Sequence, residues 1–143
     1  MAALSSASTV WEGDLEHGSG VTTPQSGAFG EVDVSWGSRT KRAADKTSPE
    51  ELLAAAHAAC YSMQLSHELA EAGTPPDRLE ASATVDFEPG EGVLSSKIEV
   101  RGTVPGIDQE TFAAAAASAG DNCPISGALK GNVQISVEAT LAS

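Results

Sequence analysis

The sequence is poor in positive charge, in cysteine and in aromatic side chains. Its 143 residues include 8 Lys and Arg against 20 Asp and Glu, which gives a formal net charge of −12. A charge of that sign repels phosphate, so it argues against nucleic acid or an anionic lipid surface as a partner. No apolar run approaches the roughly 20 residues that a membrane-spanning helix needs. We therefore expect a protein that binds neither nucleic acid nor membranes.

Cysteine is scarce too, because only Cys60 and Cys123 are present. The first residues lack a basic cluster followed by an apolar segment, so we expect a cytoplasmic protein whose thiols stay reduced. Two cysteines in that compartment are more often reactive, metal-bound or buried than joined as a structural disulfide. A zinc site would also need His57 and His67, but a ten-residue separation does not place both on one helical face. We expect no metal, and treat both histidines as surface or interface residues.

One stretch, residues 48–73, has every signal of a long helix. Ser48 can cap the N-terminus, Pro49 suits the first helical position, and a run of Ala and Leu follows. Gly73 marks the end. Four residues at helical spacing, among them Cys60, form one stripe of this helix, and we expect that stripe to face packed side chains. Its members are Leu53, Ala56, Cys60 and Met63.

The rest of the chain alternates between strand and helix patterns, which predicts one α+β domain over residues 1–143, with residues 1–8 expected to fray. The sheets should be mostly antiparallel and should pack on two main helices. Predicted strands cover residues 9–13, 21–24, 30–36, 80–88, 93–104 and 133–141, and predicted helices cover 109–119, stopped by Gly120, and 124–130.

Few residues suggest chemistry. Cys60, in the middle of a helix, can be a small core residue or a reactive thiol. Cys123 precedes Pro124, where free N–H groups of a new helix would favour a thiolate, although a buried loop cysteine is the alternative. The loop 37–47 holds half of the basic residues, as a solvated loop or as an arm that reaches an anion. These are Arg39, Lys41, Arg42 and Lys46.

Four separated motifs resemble the OsmC/Ohr family of hydroperoxide reductases. They are WEGD (11–14), SPEELLAAAHAACYSM (48–63), VPGID (104–108) and NCPIS (122–126), and they occur in the family's order over nearly the whole chain. The HAAC and WEGD forms are more similar to the OsmC branch than to the Ohr branch.

The resemblance implies the OsmC-like α+β fold, an intertwined homodimer in which antiparallel sheets wrap two long central helices. It implies a peroxidatic Cys60 and a resolving Cys123, which form a disulfide after Cys60 has become a sulfenic acid. Arg39 matches the arginine that activates the thiolate, with Arg42 as the alternative, and Glu50 matches the glutamate that holds it. Organic hydroperoxides would be the substrates, reduced to alcohols in oxidative or osmotic stress defence. An external dithiol, such as a lipoylated protein or a small thiol, would be the reductant, and no cofactor is needed.

Helix geometry adds a constraint to this assignment. Glu50 and Cys60 are ten residues apart, which is roughly 15 Å along one helix. Two antiparallel copies of that helix, related by a two-fold axis, could bring the Arg39–Glu50 pair of one subunit to Cys60 of the other. We also expect an apolar wall of Leu53, Ala56, Met63 and Phe112 to favour organic hydroperoxides. The alternatives are a thiol-based redox sensor or binding protein on the same fold with little turnover, and a structural or zinc-binding protein.

Overall fold

Strands open the chain, and helices and strands alternate after them. The computed structural model describes residues 2–42 and 45–142, so the ends of the expected 1–143 domain and residues 43 and 44 of the basic loop lie outside the described residues. The elements are β1 (Ala7–Glu12), β2 (Ser19–Pro24), β3 (Val32–Val34), α1 (Trp36–Thr40), α2 (Pro49–Glu71), β4 (Arg78–Glu88), β5 (Gly92–Thr103), α3 (Gln109–Asn122), α4 (Pro124–Leu129) and β6 (Gln134–Leu141). The chain divides into two compact units, Met1–Leu52 and Leu53–Ser143, and the boundary between them lies within α2.

The first unit is built on an antiparallel meander in the order β1-β2-β3. Its third strand is shorter than predicted, because Trp36 begins a short helix instead of ending the strand. Ser35 causes the change: its hydroxyl accepts from the Ser38 N–H, and the Ser38 hydroxyl accepts from the Ser35 N–H. This reciprocal capping starts α1, which continues to Thr40 in the segment predicted to be a loop.

The second unit contains a sheet in the order β4-β5-β6. Its β4–β5 hairpin is antiparallel as predicted, whereas β6 runs parallel to β5, a pairing that the sequence did not predict. Helix α3 packs across β6, and a buried core lies beneath it. That core comprises Tyr61, Leu65, Leu69, Ile98, Val100, Val104, Phe112, Ala116, Ala119 and Cys123.

Helix α2 begins where predicted, and the Ser48 hydroxyl accepts from the Glu51 N–H. Its buried face is not the predicted stripe. The buried positions recur every four residues at His57, Tyr61, Leu65 and Leu69. Met63, expected to pack, is 74% exposed, and Ala56 is exposed with it.

The predicted stop at Gly120 is also wrong, because α3 continues to Asn122. A Cβ at Gly120 would lie 2.8 Å from the Val137 Cγ2 atom, so the glycine permits a close approach to β6 rather than a chain reversal. The α+β class of the prediction is confirmed, with two sheets and the helices as described. Among the described residues, no helix is long and apolar enough to cross a membrane.

Candidate functional site

The four residues that the sequence singled out lie in two pairs, and the first pair is an arginine with a glutamate. The Arg39 Nε donates to Glu50 Oε1 at 3.0 Å, and its Nη2 donates to Oε2 at 2.9 Å. This is a bidentate pair, in which two N–H groups of the guanidinium donate to the two oxygens of one carboxylate. Glu50 is only 7% exposed, while the Arg39 side chain keeps 32% of its surface accessible. The pair as a whole is neutral, but it holds in place a guanidinium that is permanently charged and partly accessible.

Local structure explains why the two side chains meet. Arg39 lies in the last turn of α1 and Glu50 in the first turn of α2. A further contact joins α1 to the residues just before α2, because the Ser38 hydroxyl donates to the Thr47 carbonyl at 2.7 Å. Arg42, the alternative candidate, donates instead to Glu51 Oε2, and both of those side chains are about half exposed.

An apolar cavity of about 370 Å³ lies beside Arg39 within the first unit. Indole rings and aliphatic side chains form most of its wall, and the guanidinium-bearing residue is its charged member. The lining comprises Trp11, Leu15, Val34, Ser35, Trp36, Arg39 and Pro49. Such a cavity suits a small apolar group that carries a polar end.

The second pair consists of the two cysteines. The sulfur atoms of Cys60 and Cys123 are 3.1 Å apart, although 63 positions separate the residues in the chain. Cys60 lies in the middle of α2, and Cys123 lies at the junction of α3 and α4. Both are free thiols. Cys123 is 1% exposed, whereas Cys60 is only partly buried, so a molecule from solvent meets Cys60 first.

The pKa values of the two thiols are shifted in opposite directions. Burial raises the pKa of Cys60, and its contact with Cys123 raises it further, while the Ile125 N–H partly offsets both. Burial also acts to raise the pKa of Cys123, but the N–H and O–H of Ser126, together with Cys60, lower it overall. Among the described residues, none of the groups that shift the pKa of Cys60 is a cation. Its own surroundings in the second unit therefore favour the thiol and not the thiolate.

His57 is fully buried, which corrects the expectation of a surface or interface histidine. Its Nδ1 lies 2.7 Å from the Ser96 hydroxyl on β5, and its Nε2 lies 2.8 Å from the Ser126 hydroxyl on α4. Burial lowers the pKa of the imidazole, so the neutral form is favoured. The sequence offered a signal for Ser126, which lies in the NCPIS motif, but none for Ser96.

Two further expectations can be compared with the geometry. In the part of the chain that the structure describes, no three His, Cys, Asp or Glu side chains cluster as metal ligands would. The predicted apolar wall does not form, since Met63 is largely exposed and Phe112 is buried in the core. The apolar cavity beside Arg39 is the feature that the sequence did not predict.

Comparison with known proteins gives a consistent result. The family described as OsmC-like protein matches residues 42–138. Peroxiredoxin OsmC of Escherichia coli strain K12 is 38% identical over 129 residues, which cover 87% of this chain and 89% of that protein. An organic hydroperoxide resistance protein of Xanthomonas axonopodis pv. citri is 30% identical over 97 residues, covering 65% and 66%. The crystal structure of the organic hydroperoxide resistance protein OhrB of Bacillus subtilis is similar with a TM-score of 0.70 at 24% identity, covering 94% of this chain and 98% of that one. The resemblance in the motifs is confirmed, and the chain belongs to the OsmC-like protein family.

Proposed function

We propose that this chain is a cysteine-based peroxidase that reduces organic hydroperoxides, and hydrogen peroxide more weakly, to alcohols or water. The observation that carries the proposal is the 3.1 Å separation of the Cys60 and Cys123 sulfur atoms, with Cys60 the more accessible of the two. The names of its relatives support a role in peroxide chemistry, since they are a peroxiredoxin and an organic hydroperoxide resistance protein.

The reaction would proceed in two steps at sulfur. The Cys60 thiolate attacks the O–O bond, takes up one oxygen as a sulfenic acid, and releases an alkoxide that gains a proton to become the alcohol. The Cys123 sulfur then bonds to the Cys60 sulfur, and the S–O bond breaks. The leaving hydroxide combines with the proton of the Cys123 thiol to form water. An external dithiol, a lipoylated protein or a small thiol, would reduce the disulfide by exchange, so the protein itself would need no cofactor.

The preference for organic substrates is supported by the cavity beside Arg39. Its indole and aliphatic lining would bind the organic part of a hydroperoxide, and the guanidinium would attract the polar peroxide end. Hydrogen peroxide has no apolar part to bury there, so it would gain less from the site.

Activation of Cys60 would require a second subunit. Burial raises the pKa of this thiol, and a nearby cation is the usual means of lowering it. The Arg39–Glu50 pair supplies such a cation, and the ten-residue spacing of Glu50 and Cys60 on α2 favours its delivery from the partner of a two-fold homodimer. The exposed face of α2 with Ala56 and Met63 supports such a contact between copies. We place this enzyme in the cytoplasm, in defence against oxidative or osmotic stress.

Intact mass and free-thiol counting before and after one equivalent of cumene hydroperoxide test the chemistry. Wild type should lose two thiols and two hydrogens. Cys123→Ser should gain oxygen at Cys60, and Cys60→Ser should not react. If both wild-type thiols survive, the peroxidase proposal is wrong and a binding or metal-binding protein on the same fold takes its place, an outcome that the raised pKa of Cys60 would favour.

Sharing of the site between subunits needs a separate test. Arg39→Met and Cys60→Ser should each be inactive, but heterodimers of the two would pair an intact Arg39 with an intact Cys60 across the interface. An equal mixture, dissociated and reassociated, should recover about a quarter of wild-type activity if each heterodimer gains one working site. A mixture as inactive as its components would show that each subunit uses its own arginine.

A further inference from the structure

A chain of polar side chains runs from the core of the second unit to the sulfur of Cys123. Ser96, His57 and Ser126 are each at most 3% exposed, and the imidazole joins the two hydroxyls at 2.7 and 2.8 Å. Ser126 lies one helical turn after Cys123, and hydrogen bonding by its N–H and O–H lowers the pKa of that thiol. Burying an imidazole between two serines is costly unless every polar atom has a partner, and in the described residues every such buried atom does.

The direction of these hydrogen bonds follows from the protons available. A neutral imidazole has one N–H and one acceptor nitrogen. If the Ser96 hydroxyl donates to Nδ1, the Nε2–H donates to the Ser126 oxygen, and the Ser126 proton is directed to Cys123. In the reverse order the Ser126 hydroxyl would donate to Nε2, and it would have no proton left to donate to the sulfur. The first order gives each of the three protons an acceptor.

We propose that His57 is a positioning residue for the resolving step, in which it holds the Ser126 hydroxyl as a hydrogen-bond donor to Cys123 so that this sulfur attacks the Cys60 sulfenic acid as a thiolate. This inference rests on the proposed function and assigns it a component that the four predicted site residues do not include. The bond made is S–S and the bond broken is S–O, and the hydroxide released from Cys60 takes up the proton given up by Cys123.

The Ser126 hydroxyl also assists the reduction of the Cys60–Cys123 disulfide. When a dithiol reduces the disulfide, the sulfur with the lower pKa is the better leaving group. Cys123 is the more deeply buried thiol, and the Ser126 donors lower its pKa, so the reductant attacks Cys60 and Cys123 leaves. Among the described residues, the other titratable groups that act on this sulfur are Cys60 and Tyr61 on α2, and Glu68 acts on Tyr61 from about two turns further along. Tyr61 donates its O–H to the Ala116 carbonyl, so it does not compete for the Cys123 sulfur.

Single-turnover kinetics on Ser126→Ala test the proposal. Reduced protein is mixed with one equivalent of cumene hydroperoxide, quenched at intervals with dimedone to trap sulfenic acid, and weighed by mass spectrometry. Conversion of sulfenic acid to disulfide should slow about tenfold, because a hydrogen bond to an ionised sulfur is lost. The rate of Cys60 oxidation should not change when Ser126→Ala is added to Cys123→Ser.

His57 is tested through its coupling to Ser126. His57→Leu should slow the same step, and His57→Leu with Ser126→Ala should be no slower than Ser126→Ala alone, because both act on one proton. If His57→Leu does not fold, Ser96→Ala replaces it in the cycle. Effects that multiply in the double variant would overturn the positioning role.

Matched variants separate this role from a general loss of packing. Ser126→Thr keeps the hydroxyl, and its methyl group has room because Ser126 lines a cavity of about 380 Å³, so it should restore the wild-type rate. Ser118→Ala removes a hydroxyl that donates to Glu68 and should change nothing. In a Cys60→Ser background, thiolate absorbance at 240 nm should rise at higher pH in Ser126→Ala than in the parent. An unmoved midpoint, or resolution at the wild-type rate, would overturn the inference alone, whereas failure of Cys60 to oxidise in wild type would reject the peroxidase proposal itself.

Discussion

The arginine pair and the cysteine pair are built in contrasting ways. Arg39 and Glu50 form a charged, bidentate contact at the junction of two helices, next to an apolar cavity. Cys60 and Cys123 meet among buried core residues, and their polar neighbours are neutral N–H and O–H groups. The first pair contains a fixed cation and no nucleophile, whereas the second has two nucleophiles and no cation among the groups that act on Cys60.

The contrast teaches that neither pair alone has everything that the proposed peroxidase reaction requires. Neutral donors suffice for Cys123, whose pKa they lower despite its burial. They do not suffice for Cys60, whose pKa burial raises. If Cys60 attacks a peroxide as we propose, this buried thiol needs a full positive charge beside it, and the Arg39 guanidinium is the group that could supply one.

Removing the positive charge should have the largest effect on activity. Arg39→Met keeps the length of the side chain but not the guanidinium, and we expect Cys60 oxidation to slow about 100-fold at neutral pH. Stopped-flow mixing with cumene hydroperoxide measures that rate. Raising the pH should recover much of the loss, because hydroxide then removes the proton that the arginine no longer helps to release.

Arg42→Met is the matched control for that change. Arg42 forms an exposed pair with Glu51, so its loss should alter the rate less than twofold. A large effect at Arg42 with little at Arg39 would reverse the assignment of the activating arginine.

Packing around the cysteine pair is the next point to perturb. Gly120→Ala would place a Cβ 2.8 Å from Val137 Cγ2 and push the end of α3, which leads into Cys123. We expect the free energy of unfolding to fall by about 1–3 kcal/mol and disulfide formation to slow. Urea unfolding and single-turnover mass spectrometry measure the two effects.

Gly127→Ala provides the comparison, because a Cβ at this position in α4 meets no atom within 4 Å. The higher helix propensity of alanine should leave stability unchanged or raise it by up to about 1 kcal/mol. Equal losses at both glycines would mean that the close approach to β6 is not what Gly120 provides.

A smaller effect is expected from loosening the arginine without removing it. Glu50→Gln keeps one oxygen acceptor but loses the charged bidentate contact, so Cys60 oxidation should slow about tenfold. Glu51→Gln removes the equivalent charge from the exposed pair and should have almost no effect. If the two glutamates behave alike, Glu50 does not position the guanidinium.

The fold class, most elements and both residue pairs could be predicted, because short stretches of sequence carry patterns or motifs for each of them. Ser48 before Pro49 marks a helix start, and alternation marks the β4–β5 hairpin. The family motifs carried both cysteines. Features that depend on contacts between distant segments have no such local pattern, and the parallel β5–β6 pairing is one of them.

The face of α2 shows the limit most clearly. Two stripes, one with Cys60 and Met63 and one with His57 and Tyr61, both have helical spacing, and the first was the one predicted to be buried. The structure buries the second, because Ser96 and Ser126 give the His57 ring its partners across 39 and 69 positions of sequence. No local pattern contains those hydroxyls, so a buried histidine was mistaken for a surface one.

That histidine also gives the smallest expected effect, a pH dependence of stability. Burial lowers the pKa of folded His57 below 6.5, so between the lowered value and 6.5 the unfolded chain binds a proton that the folded chain does not. Stability increases with pH wherever the unfolded state binds more protons, so the free energy of unfolding should decrease as pH falls below 6.5. Urea unfolding from pH 7.5 to 5.0, at fixed protein concentration, measures this slope. His57→Gln, which has no proton to bind, should flatten it, whereas His67→Gln, at an exposed position of the same helix, should keep it. A His57→Gln slope equal to that of wild type would mean that protonation of carboxylates alone lowers stability in acid, and that the buried imidazole does not contribute.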